Sequence, residues 1–175
     1  MTYQIKDKVV FLGGEYDLLE RKGSPLVHSR DFGMEAVGTH TANHRGYFAK
    51  YEIVEGRLLL RDFSLRERAG NYVPINGIRP KIEHDFAEYK QVGLSISFSG
   101  LLRLAKDIDL KLHFSRGNSN DHDPTAYATL IDLAIIDGAV LTVINRSHEL
   151  RDTLQLLSPR SWGKTGNGSV PKWLT

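Results

Sequence analysis

The chain has 175 residues, 41% of them hydrophobic, with 23 basic and 21 acidic side chains and a formal net charge of +2. That length and apolar content suit one domain with its own core, and the near balance of charge argues against a dedicated nucleic-acid binder. Cysteine is absent, which excludes disulfides, thiolate metal sites and cysteine nucleophiles together and suits a reducing compartment.

Residues 1–7 carry no apolar signal-like stretch, and no run of about 18 apolar residues offers a membrane span, so a cytoplasmic protein is expected. Residues 8–12 read as a short buried strand stopped by Gly13-Gly14. This glycine pair lacks the G-x-G-x-x-G spacing, and Glu15 would bring a carboxylate to a bound phosphate, so it is not read as a nucleotide loop. Residues 15–21 fit one helical turn or a second strand, ended by Gly23-Ser24-Pro25. Residues 26–41 are ambiguous.

The clearest element is a hairpin over residues 47–65. Tyr47, Ala49, Tyr51 and Ile53 alternate with Phe48, Lys50, Glu52 and Val54, and Glu55-Gly56 turns the chain. A two-residue primed turn sets Ile53 against Leu58 and Tyr51 against Leu60 on an apolar face. On the other face it sets Phe48 against Phe63 and Lys50 against Arg61, a like-charge pair that Glu52 would relieve from its diagonal position. Gly46, just before the hairpin, points to a bulge or a close backbone approach that aims Arg45 at a carboxylate or at backbone carbonyls.

Residues 93–106 alternate with period two through Leu94, Ile96, Phe98, Leu102 and Leu104. Gly100 falls in the apolar register, as a bulge or bend would require. Leu110, Leu112 and Phe114 continue the alternation into a second hairpin. The third, around Asp137-Gly138, sets Ile135 against Val140, Leu133 against Thr142 and Ile131 against Ile144. Its strands are apolar on both faces and are expected to be central. Asp132 is the exception, and needs Arg103, Arg146 or a histidine as partner. Ser147 is a plausible N-cap for a helix over residues 148–157 presenting Leu150, Leu154 and Leu157, which Pro159 ends. Residues 1–157 thus form a single β-rich domain, and residues 158–175 a loosely held tail with Trp162 and Trp173 as anchors. The expected fold is mainly β: an antiparallel sandwich or strongly curved sheet built from hairpins, with a short C-terminal helix.

No catalytic motif stands out. His40 and His44 would share a face on a helix, but in extended chain they lie roughly 13 Å apart, too far for one ion, so no metal or other cofactor is implied. The loop over residues 116–124 gathers Asn118, Asp121, His122 and Asp123, oxygen- and nitrogen-rich enough for a ligand yet equally apt for a surface turn. His113 with Asp132 is the one His/carboxylate pairing that the strand arrangement could assemble, and His44 is a further weak catalytic candidate. Where exposed charge clusters, Lys50, Arg57 and Arg61 with Arg45 form a patch that could meet the 116–123 loop and take a protein or an anionic small molecule.

The run Thr41-Ala42-Asn43-His44-Arg45-Gly46-Tyr47, continued by Tyr51-Glu52-Ile53 and Glu55-Gly56-Arg57-Leu58, resembles a pattern in a group of uncharacterised bacterial β-rich proteins. In that group Thr-Ala, an aromatic, Arg-Gly-Tyr and a Trp/Tyr-Glu-Ile hairpin precede an Asp/Asn-Gly-Lys/Arg-Leu turn. Ser99 to Leu104 and the return strand over residues 139–143 resemble its later strands, whereas His44 stands where the group has an aromatic. The resemblance covers about half the chain and brings no established activity. The leading expectation is a non-enzymatic binding or interaction protein of the bacterial cytosol. The alternatives are a small enzyme with a His/carboxylate pair in a sheet pocket and a toxin-neutralising protein, though the latter class often presents an acidic surface.

Overall fold

The computed structural model describes residues 4–109 and 124–150. The chain is mainly β. Its strands are β1 (Lys8–Phe11), β2 (Gly14–Gly23), β3 (Tyr47–Val54), β4 (Arg57–Leu65), β5 (Lys81–Glu83), β6 (Phe86–Tyr89), β7 (Leu94–Ser95), β8 (Gly100–Ile108), β9 (Tyr127–Ile136) and β10 (Ala139–Asn145). They form one sheet in the order β10-β9-β8-β2-β1-β3-β4-β6-β5, with β7 beside β4. A single bridge from Ala139 to Arg57 joins β10 back to β4, so the strands from β4 round to β10 close into a ring. The expected strongly curved sheet is therefore curved to closure.

The expected all-antiparallel pairing is corrected at one point: β1 and β3 run parallel, with Lys8 beside Lys50 and Val10 beside Glu52. Hairpin logic reads only consecutive strands, and residues 24–46 return the chain to the end from which β1 started, as a parallel neighbour requires. Inward positions alternate along each strand and fill the ring with Val9, Tyr51, Leu60, Phe63, Leu104 and Leu133, all fully buried. Each such side chain contributes roughly 1.5–3 kcal/mol of burial free energy. A second, smaller cluster of Leu19, Ala105, Leu130 and Leu150 lies apart from this core. Leu150 belongs to a helix that begins at residues 147–150. Among the described residues no helix is long and apolar enough to cross a membrane.

Both hairpins that can be followed carry bulges that the even spacing concealed. In the first, Ile53 faces Leu58 and Tyr51 faces Leu60 as expected, but Lys50 faces Asp62 and Phe48 faces Ser64, because Arg61 is an extra residue. The like-charge pair never forms. Lys50 reaches Glu15 at 2.7 Å, and Arg61 pairs with Glu52 at 3.4 Å. In the third, Val140 faces Ile135, but Leu141 bulges, so Val143 faces Leu133 and Ile144 faces Asp132. The expectation that both strands are central is corrected for β10, whose residues from Leu141 to Asn145 are all exposed. The expected single strand over residues 93–106 divides into β7 and β8, and Gly100 stands at the junction. Ser147 is not the N-cap. Its amide donates to Asn145 Oδ1 at 2.9 Å, while its hydroxyl accepts from the Leu130 amide at 3.1 Å and so ties the helix start to β9. The hairpin expected around Leu112, the helix beyond residue 150 and the 158–175 tail lie outside the described residues.

A loop after β4 is organised by one carboxylate. Glu67 accepts backbone N–H bonds from Ala69 at 2.7 Å, Asn71 at 2.9 Å and Glu35 at 3.3 Å. These donors, the Asn71 amide foremost, hold its pKa below the ordinary glutamate value. A depressed folded-state pKa means that the stabilisation is present above the unfolded pKa and is lost as pH falls through the folded one. Glu67→Gln should therefore lower the unfolding midpoint at neutral pH and flatten its decline on acidification below about pH 4.5. Parallel denaturation curves for the two proteins across that range would contradict this role.

Candidate binding cleft

The ring has a built-in gap. β1 starts at Lys8, opposite Asp17, whereas β2 runs on to Gly23, so the stretch of β2 from Leu18 onward has β8 on one side and no strand on the other. Residues 4–7 peel away from β2, with the Ile5 amide donating to Ala42 O at 2.9 Å. The segment carrying Leu26, Val27 and His28 crosses on the far side, leaving an open cleft of about 950 Å³. Leu18, Leu26, Val27 and Tyr47 supply apolar wall, and Glu20, His28 and Arg45 polar wall.

Arg45 is held on that wall by Asp7. Its two terminal nitrogens donate to the two Asp7 oxygens, both at 2.8 Å, in the planar fork that only guanidinium offers. Asp7 Oδ1 also accepts from the Ala49 amide at 3.1 Å, and Asp7 O accepts from the Leu18 amide at 2.8 Å. One aspartate thus joins the start of β1 to both β2 and β3. Asp7 is only 8% exposed, whereas the Arg45 side chain is 42% exposed. The hydrogen bond to Asp7 raises the Arg45 pKa further, so the guanidinium is permanently charged. Its remaining N–H groups are those not turned to Asp7.

Two rings, Tyr47 and His28, continue the wall. Arg45 Cζ lies 4.9 Å from the Tyr47 ring centre, a cation–π contact, and His28 meets Tyr47 edge-on at 5.3 Å. His28 Nδ1 accepts from the Arg30 amide at 3.1 Å, which in the neutral ring leaves the proton on Nε2. Deeper still, Tyr51 is fully buried and burial pushes its pKa well up. Its hydroxyl makes no hydrogen bond of good geometry, although the Val27 backbone lies near enough to oppose that rise. Gly46 explains the local chain path: its φ is +77°, and a Cβ there would stand 2.5 Å from the Val37 carbonyl carbon. Close backbone approach at Gly46 places Arg45 over Asp7.

Among the described residues, Arg45 is the one site residue proposed from sequence that lines this cleft. Lys50 and Arg61 are engaged by Glu15 and Glu52, and Arg57 lies exposed at the turn. His44 is exposed, its amide accepted by Gln4 Oε1 at 3.3 Å, and the His40 ring lies 6.4 Å from that of Phe48. Asp132 accepts from Arg103 at 2.7 and 2.8 Å and from Arg146 at 3.3 Å. Arg103 above all holds its pKa low, as befits a structural ion pair rather than a catalytic base. His113, Asn118, Asp121, His122 and Asp123 lie outside the described residues, and so does the proposed meeting of their loop with the charged hairpin. Among the described residues no three metal-ligating side chains come together. Sequence reasoning missed Asp7 and His28. The one signal for Asp7 was the demand of Arg45-Gly46 for a carboxylate. Comparison with protein-family models, with curated proteins and with solved structures finds no match.

Proposed function

We propose that this chain is a non-enzymatic cytoplasmic binding protein whose ligand is a small amphipathic molecule with an apolar body and an oxygen-bearing end. The observation that carries this reading is the cleft where β1 leaves β2: its volume of about 950 Å³ falls within the range of small-molecule sites, and its wall is apolar with a few fixed polar groups. Arg45 would take the oxygen-bearing end. Its pairing with Asp7 cancels the net charge yet leaves oriented donors, which favours recognition of an acceptor over simple attraction of any anion. The titratable groups of the wall are engaged in holding the chain. Asp7 binds Arg45 and the Ala49 amide, and the His28 ring caps the turn Ser29–Phe32. Such a wall orients a ligand without supplying an activated nucleophile.

Titration with the fluorescent amphiphile anilinonaphthalene sulfonate tests this. Saturable binding to one site is expected, and Leu26→Trp, which fills the cleft from its apolar wall, should weaken it by roughly tenfold or more, the scale of a lost apolar subsite. The melting temperature should be little changed. Equal binding by the Leu26→Trp protein would place the probe elsewhere and remove the support for this cleft.

A further inference from the structure

The side of β2 that faces the cleft is an open strand edge. The ladder between β1 and β2 ends at Asp7, whose carbonyl takes the Leu18 amide, and from Leu19 to Gly23 β8 is the one neighbouring strand among the described residues. The Ser24 amide bonds to Ser99 O, so alternation turns the N–H and C=O of Lys22 toward β8 and those of Arg21 toward the cleft. Among the described residues no backbone group meets Arg21 from that side. The edge from Leu18 to Gly23 is roughly 17 Å long, enough for about four or five extended residues. It is also charged in a directed way. Glu20 is taken up by Lys22 at 3.0 Å and Arg103 at 3.5 Å, whereas Arg21 bonds to a backbone oxygen, Ser24 O at 2.7 Å, and keeps its full charge. Arg45, 42% exposed at the Asp7 end, uses two of its five N–H donors on Asp7.

We infer that the ligand of this cleft is the C-terminal end of an extended peptide, which adds to β2 as an antiparallel strand and sets its free carboxylate on Arg45. The inference rests on the cleft proposed above and narrows its amphipathic ligand to one class. Direction carries the argument. β1 is antiparallel to β2, so a strand added antiparallel in line with β1 runs toward Asp7, and its C-terminus arrives where Arg45 is held. A parallel strand would bring an ammonium group to the same guanidinium, and like charges repel. The main chain of the peptide then supplies partners for the open groups of Arg21, and the apolar wall of Leu18, Leu26 and Val27 suits aliphatic side chains at alternate positions. The carboxylate is the oxygen-bearing end, and the wall that receives it keeps Arg21 without a neutralising partner among the described residues.

Fluorescence anisotropy of a fluorescein-labelled peptide of alternating leucine and threonine, about five residues long with a free C-terminus, tests this on the full chain. Saturable binding is expected, and the unlabelled peptide should displace anilinonaphthalene sulfonate from the cleft. The C-terminal amide of the same peptide should bind roughly tenfold or more weakly, which probes Arg45 without altering the fold. Methylating alternate backbone nitrogens should weaken binding by a similar factor in the register that faces β2 and change it little in the other. Leu26→Trp should weaken dye and peptide together. If the dye binds as expected and the peptide does not, or if decanoate displaces the dye as well as the peptide does, the cleft stands and the peptide inference falls. Equal binding of acid and amide, equal effects of the two methylation registers, or full peptide binding by the Leu26→Trp protein would each overturn it as well. Failure of dye and peptide alike would remove both the cleft and its peptide.

Discussion

Arg45→Ala should destabilise the chain by about 2–4 kcal/mol, between the value for a broken buried ion pair and that for an exposed one. The asymmetry of the pair sets this magnitude. Asp7 is nearly buried and would be left with one backbone donor, from Ala49, in place of a two-pronged guanidinium. Water can reach the Arg45 side but not readily the Asp7 side, so the loss exceeds that of a surface pair. For a chain of this length the melting temperature should fall by roughly 5–15 °C. Arg45→Lys keeps the charge without the planar fork and should lie between the two. Adding Asp7→Asn to Arg45→Ala removes the stranded anion and should recover part of the loss, which a denaturation double-mutant cycle would read directly. An unchanged midpoint for Arg45→Ala would show that β1 is held to β2 and β3 without this pair.

What could be read from sequence was local. The turns at Glu55-Gly56 and Asp137-Gly138 fix the pairs nearest them, four in the first hairpin and two in the other, so Ile53 with Leu58, Tyr51 with Leu60 and Ile135 with Val140 follow from spacing alone. Bulges at Arg61 and Leu141 then shift the remainder by one residue, and an extra residue leaves no mark in alternation where the neighbouring side chains are half-exposed. Asp132 finds Arg103 and Arg146, two of the partners its burial demanded: Arg103 faces it on β8, and Arg146 reaches it from just past the end of β10. The parallel pairing of β1 with β3 and the exposure of β10 depend on strand order, which apolar patterning does not encode. Two-sided apolarity in β10 was read as central burial, and in the ring it is an uncovered edge. The cleft was hidden for the same reason. Arg45 is 38 residues from Asp7, and the gap they border exists only because β1 begins at Lys8 while β2 runs on to Gly23.

Gly100→Ala should cost about 3–5 kcal/mol, because it combines backbone strain with overpacking. Gly100 and Gly23 face each other where β8 meets the end of β2, with φ of +151° and +132°. A Cβ on Gly100 would stand 2.0 Å from Lys22 O, and one on Gly23 would stand 2.2 Å from Ser99 O. Both obstacles are backbone, so no side chain can swing aside. The Ser24 amide bonds to Ser99 O at 3.0 Å, and Ser24 Oγ accepts from the Ser99 amide at 2.9 Å, which pins the two strands at this distance. Relief would require β2 and β8 to separate, and that would disturb the floor of the gap in which the cleft lies. Gly56→Ala is the control. It too has a positive φ, +72°, but a Cβ there meets nothing within 4 Å, so only the left-handed conformation is penalised, at about 1 kcal/mol. Urea denaturation of the two variants separates the contributions: a deficit for Gly100→Ala several times that of Gly56→Ala measures the contact between the strands, and equal deficits would mean that the backbones do not approach this closely in solution.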